Sequence, residues 1–195
     1  MHERKDQLVD LLVDYLLKHG LNDLSLRPMA AAVGTSARLL IYHFGSKEAL
    51  LAEVLERMQV LLRQSFAEMF EFPHKGRKEE PLMIFWRWAI APKNYPYLKL
   101  LYELQILAVQ TPSIYGAYLQ RSSEDWLDLA KTMLPENERD DAMASMVIAV
   151  FDGLFLELMS TGDRSRTTAA LECFITTVKN ARRTMNKQLP KRNRR

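Results

Sequence analysis

The 195 residues suffice for one or two domains with an apolar core, and 48% apolar against 26% charged residues is the balance of an ordinary globular chain. The net charge of +3 is local: residues 182–195 hold seven Lys and Arg and no acid, and the rest carries 20 basic against 24 acidic residues, a balance of −4, so bulk charge makes no case for a nucleic-acid partner. No apolar run approaches the ~18 uncharged residues of a membrane span. The charged start MHERKDQ precedes no signal-type core, and the single Cys173 excludes an internal disulfide, so a cytoplasmic protein without membrane contact is expected.

Helical spacing predominates and no convincing strand pattern occurs, which predicts an all-α fold. Leu8, Leu11, Leu12, Tyr15 and Leu16 mark one face of a first helix over 3–19, ended by Gly20 and Asn22. Ser25 fits an N-cap and Pro28 a first turn, which starts a short helix reaching Val33. Ser36 starts a third helix, to Phe44, and Ser46 a longer fourth with Leu50, Val54, Leu55, Met58, Leu61 and Leu62 on its stripe. The polar stretch 73–81 reads as a loop. Helical segments follow over 82–91, 97–110, 111–134, 142–159 and 165–187, separated by PKNYP, PENERDD and Gly162-Asp163. Glu124-Asp125 and Asp140-Asp141 read as helix starts, where carboxylates favour the dipole.

The stretch GTSARLLIYHFGSKEAL, 34–50, places a very short helix between two sharp corners. Such a helix is unstable alone and must be held by its neighbours. Ala30, Gly34 and Leu40 have the spacing of a helix-turn-helix, in which a small residue lets the helices approach and Gly34 supplies the left-handed turn. With Leu40 and Phe44 turned inward beside Val33, Ala37, Arg38, Ile41 and Tyr42 turn outward. The second helix of such a unit enters the DNA major groove by its N-terminal end. Arg38 would then pair with guanine, Ser36 and the helix-start N–H groups would hold a phosphate, and Lys47 would meet the backbone.

LSLRPMAAAVGTSARLLIYHFGSKEALL, residues 24–51, resembles the TetR family of transcriptional regulators. Ser25, Arg27, Ala30, Gly34, Ser36, Leu40, His43, Phe44 and Lys47 match its pattern in order and spacing. One position departs: the family's tyrosine is Ile41 here, and a tyrosine follows at Tyr42. Either Tyr42 takes over a phosphate contact from a neighbouring angle, or Ile41 meets a thymine methyl instead. The candidate DNA contacts are Ser25, Arg27, Thr35, Ser36, Ala37, Arg38, Ile41, Tyr42, His43 and Lys47. The resemblance implies a three-helix DNA-binding domain over 1–45 and a larger helical ligand-binding and dimerisation domain over 46–187. A basic, disordered tail over 188–195 would follow.

Segment 142–159 is apolar on more than one face, and 165–187 has a stripe of its own, so the two suit a four-helix interface between two chains. Met143, Val147, Phe151, Phe155, Leu171, Ile175 and Val178 are its candidate residues. Phe85, Trp86, Trp88, Tyr95, Tyr97 and Tyr102 crowd into residues 84–105, as aromatics lining an apolar pocket do. Met83, Trp86, Trp88, Tyr102, Gln105 and Trp126 are the candidate ligand contacts. No phosphate loop, nucleophile motif or metal-ligand spacing is present, so no catalytic residue, metal or cofactor is expected. The expected function is a ligand-responsive, sequence-specific repressor, binding operator DNA as a homodimer and released by a small apolar or aromatic molecule. The alternative is an all-α small-molecule-binding protein whose N-terminal unit no longer binds DNA.

Overall fold

In a computed structural model, which describes residues 2–20, 24–71 and 80–188, four helices start alike. A short polar side chain just before the helix accepts a hydrogen bond from an amide three residues on. Ser36 accepts from Leu39 N–H at 3.2 Å, Ser46 from Ala49 N–H at 3.0 Å, Asp140 from Met143 N–H at 2.8 Å, and Asp163 from Arg166 N–H at 3.0 Å. The resulting helices are α1 (His2–His19), α2 (Leu26–Ala32), α3 (Ala37–Phe44), α4 (Lys47–Glu71), α5 (Pro81–Ala89), α6 (Tyr95–Gln110), α7 (Pro112–Thr132), α8 (Asp141–Thr161) and α9 (Arg164–Gln188). A 3-10 turn, Glu136–Glu138, precedes α8. The described residues contain no strand, and the fold is all-α.

Two starts depart from the sequence reading. Ser25 occupies the N-cap position of α2 in extended backbone but makes no side-chain capping bond. Glu124 and Asp125 start nothing: they lie inside α7, where Glu124 accepts from Gln120 and Asp125 pairs with Arg63 of α4 at 2.6 Å. Their use is lateral pairing, which an acidic doublet does not distinguish from a helix start. Asn22, most of the loop 73–81, and the tail beyond Gln188 lie outside the described residues.

The chain divides into two compact units, residues 1–78 with 87–126, and residues 79–86 with 127–195. In the first, α4 is the central element, packed against α1, α3 and α6. Leu8, Leu12 and Leu16 of α1 and Leu50, Val54, Leu55 and Met58 of α4 are each at most 1% exposed, at the 3–4 spacing that puts them on one face. Lys5 with Glu53, and Arg57 with Asp10 at 2.6 Å, tie α1 to α4 at the rim of that face. Between α4 and α7 the buried Gln59 amide donates to Ser122 Oγ at 2.6 Å. The corner before α6 closes a hydrogen-bonded ring: Trp88 Nε1 donates to Ser65 Oγ, Ser65 Oγ to Asn94 Oδ1, and Asn94 Nδ2 to the Trp88 carbonyl. Asn94 is thereby buried with its amide satisfied.

In the second unit, α8 packs on α9. Phe151 stacks on Phe155 with centroids 6.0 Å apart, Phe85 lies 4.7 Å from Phe151, and the fully buried Trp86 donates its indole N–H to Thr168 Oγ1 at 2.9 Å. Gly162, at φ 69°, ends α8 in left-handed backbone, which glycine adopts without Cβ strain. By length and composition α8 could cross a membrane, with a mean hydropathy of 1.8 over an 18-residue window, although no uncharged run is that long. Its Ala144, Val147, Phe151, Phe155 and Leu158 form a buried stripe in the core of this unit instead.

Candidate DNA-reading surface

The turn between α2 and α3 is built as its sequence requires. Met29, Ala30 and Val33 are buried on one side, and Leu40 (0% exposed) and Phe44 on the other. Gly34, at φ 67°, makes the left-handed corner, and the Thr35 amide donates back to the Ala30 carbonyl at 2.9 Å. A Cβ at Gly34 would touch nothing within 4 Å, so the requirement for glycine is backbone conformation and not space. Gly45, at φ 81°, closes α3, and its amide caps the Ile41 carbonyl at 2.8 Å.

The opposite face of α3 is bare. Arg38 is exposed, as are Leu39 (41%), Ile41 (37%) and Tyr42 (69%). Tyr42 therefore does not cover the small core. His43 is half-buried, edge-on to Tyr42 with centroids 5.4 Å apart. Ala37, expected outward, is half-buried, because it lies about 20° from Phe44 around a helix turning 100° per residue. Ser25, Arg27 and Ser36 are exposed, and Lys47 is half-buried at the first position of α4. The Thr35 hydroxyl is buried without a hydrogen-bond partner among the described residues. Leu39 is absent from the candidate set, although rotation of 100° from Arg38 places it on the same outward arc; a leucine is simply read first as core.

An exposed apolar pair on a short, externally supported helix, beside an arginine and a capped N-terminus, suits a groove that offers guanine acceptors and thymine methyls. Fold and surface together define a helix-turn-helix DNA-binding protein. Residues 8–54, which include the helix-turn-helix, match the model of the bacterial regulatory proteins of the tetR family. Three solved structures share its fold. A putative transcriptional regulator from Pseudomonas aeruginosa PAO1 is 20% identical, with a TM-score of 0.68, over 92% of this chain and 91% of that one. The multidrug binding protein EbrR, in complex with imidazole, is 20% identical, with a TM-score of 0.65, over 87% and 88%. A putative TetR-family transcriptional regulator from Rhodococcus sp. is 18% identical, with a TM-score of 0.62, over 89% and 98%. No curated protein matches the chain at a significant level.

The six candidate ligand contacts fall in two different units. Met83 and Trp86 belong to the second; Trp88, Tyr102, Gln105 and Trp126 belong to the first. Trp86 and Trp88 are buried, each with its N–H bonded, and Met83, Tyr102, Gln105 and Trp126 are half-buried. None of them lines either described cavity. One of about 200 Å³ lies in the first unit beside Leu62, Ser65, Asn94 and Tyr97, and one of about 430 Å³ in the second.

The candidate dimer residues face inward. Val147, Phe151, Phe155, Leu171 and Ile175 are buried within the second unit, and Met143 and Val178 are half-buried there. The exposed stripe of α8 is Ala142, Ser145, Met146, Ala149, Gly153, Leu156 and Ser160, and α9 exposes Ala169, Cys173, Thr176 and Asn180. Periodicity finds stripes, but two stripes on one apolar helix do not say which of them belongs to its own chain.

Proposed function

We propose that this regulator is a homodimeric repressor that reads an operator through α3 and leaves it when a small apolar or aromatic molecule binds. The observation that carries the reading is the split of α3, with Leu40 and Phe44 buried against the unit and Arg38, Leu39, Ile41 and Tyr42 bare. Two bare aliphatics beside an arginine are matched by thymine methyls next to guanine. Function divides near residue 45: residues 1–45 read DNA, 46–187 bind the ligand and the second chain, and the basic end from 188 adds long-range attraction to DNA. The protein acts in the cytoplasm and performs no catalysis.

The dimer is supported by the exposed stripe of mostly small residues on α8, which allows close approach of a second copy, and by the two half-sites a small reading unit needs for tight binding. The small-molecule input is supported by the relative named as a multidrug binding protein. A ligand can act as a switch only by preferring a dimer whose reading helices no longer match the half-site spacing, and operator DNA must then weaken the ligand by the same factor.

Selection of duplexes from a random pool, alongside gel shifts with DNA upstream of the protein's own gene, tests the reading. The expected product is a sequence with two related half-sites about one helical turn apart. Binding with no sequence preference, or none at all, would leave an α-helical small-molecule-binding protein.

A further inference from the structure

The larger cavity, about 430 Å³, lies wholly in the second unit, among the start of α5, the end of α7, the start of α8 and the second half of α9. Its size falls within the ~300–1,000 Å³ of small-molecule pockets. The floor is apolar: Leu82, Met143, Val147, Ile175 and Val178. The rim is not. Arg139, Lys179 and Arg182 line it together with one acid, Glu80.

The charges at that rim do not cancel. Lys179 pairs with Glu80 at 2.5 Å, and Arg182 pairs with Glu138. Arg139 makes no ion pair among the described residues: its Nε donates to the Leu134 carbonyl at 3.0 Å, which orients the guanidinium and leaves its charge without an acidic partner. Arg182 Nε is a second donor, buried at the same wall, without a hydrogen-bond partner. An apolar floor thus meets a rim with one uncompensated, oriented guanidinium.

We infer that this cavity binds an amphipathic monoanion, an aliphatic or aromatic carboxylate whose apolar body lies on Val147 and Ile175 and whose carboxylate is held by Arg139. The planar fork of a guanidinium pairs both oxygens of a carboxylate, whereas an ammonium ligand would bring like charge to the same point. An alcohol of equal length keeps the apolar contacts and loses the charge pairing. This deepens the ligand-responsive reading above and rests on it for its regulatory consequence alone.

Calorimetric titration of the full chain with octanoate, octanol and octylammonium tests the site, with Arg139→Gln and Arg183→Gln as variants. Both arginines are exposed, so neither substitution opens a core. Octanoate should bind about tenfold or more tightly than octanol, and octylammonium most weakly. Arg139→Gln should weaken octanoate about tenfold, leave octanol unchanged and thereby equalise the two. Arg183→Gln should change neither. Octanoate and octanol binding alike to the unaltered chain, loss of octanoate affinity to the same degree in both variants, or no binding at millimolar concentration would each overturn the assignment. A selected duplex added to the titration separates the two ideas. Octanoate binding through Arg139 without changing duplex affinity keeps the site and removes the switch. A different small molecule releasing the duplex, with octanoate inert, keeps the switch and removes the site.

Discussion

The Lys5 ammonium stands 5.2 Å above the ring centroid of Phe44, the last residue of α3. The same nitrogen pairs with Glu53 of α4. One side chain from α1 thus touches the C-terminal end of the reading helix and the long helix behind it. A helix of eight residues keeps its orientation only through such outside contacts.

Lys5→Ala should therefore cost about 0.5–1.5 kcal/mol, from a half-buried ion pair and a cation–π contact. Lys5→Arg should retain most of it. Urea unfolding of the three proteins measures this, and an unchanged midpoint for the alanine variant would mean that Phe44 and α4 hold α3 without it.

Arg38 and Lys47 should fail differently. Arg38→Ala should weaken the operator by about 1–3 kcal/mol and relax preference at one base pair. Lys47→Ala should weaken all sequences alike and reduce the salt slope by about one. Gel shifts at several salt concentrations, on operator and random duplexes, distinguish the two. Equal losses on both duplexes for Arg38→Ala would place it on the backbone.

Leu39 and Ile41 can be tested on the DNA side. Replacing single thymines of the selected operator by uracil removes only a methyl group. One or two positions should lose affinity, and those losses should vanish in Leu39→Ala or Ile41→Ala. If every uracil substitution is silent, the bare apolar pair of α3 does not read thymine.

The two stripes of α8 predict two kinds of variant. Leu156→Asp, at a residue 53% exposed, should dissociate the dimer while leaving helix content and thermal midpoint nearly unchanged. Phe151→Asp, at a residue packed on Phe85, Trp86 and Phe155, should cost more than about 3 kcal/mol and unfold the second unit. Sedimentation with circular dichroism checks both, and a Leu156→Asp dimer as tight as the original would place the interface elsewhere.

Tyr118 supplies a pH-dependent test. Burial pushes its phenol from 10.0 up to about 12, Ser122 opposes the rise through a side-chain hydrogen bond, and the Glu56 carboxylate adds to it. The folded state holds the phenolic proton more tightly than the unfolded chain. This contribution is therefore complete below pH 10 and is lost as pH rises toward 12. Tyr118→Phe should be neutral or slightly stabilising at pH 7, and should lose on the order of 1–2 kcal/mol less than the original protein between pH 10 and 12. Parallel alkaline curves for the two proteins would show that Tyr118 ionises freely.

What depends on neighbours along the chain was legible in the residues alone. Ser36, Gly34, Gly45, Ser46 and Asp140 fix starts and corners through their own backbone conformation or a hydrogen bond three residues away. The all-α class, the helix-turn-helix and the outward place of Arg38 and Ile41 follow from them by rotation of about 100° per residue. Packing settled everything that depends on which surface meets which. It put Glu124 and Asp125 to lateral use against neighbouring groups, buried the Thr35 hydroxyl, and distributed the aromatics of 84–105 between two units. It also turned Val147, Phe151 and Ile175 toward their own core and placed Arg139 at the rim of a cavity beside them. Periodicity gives each helix its apolar stripes, but burial is a property of pairs of helices. A helix apolar nearly all round, such as α8, specifies its inner face only when a second helix packs on it.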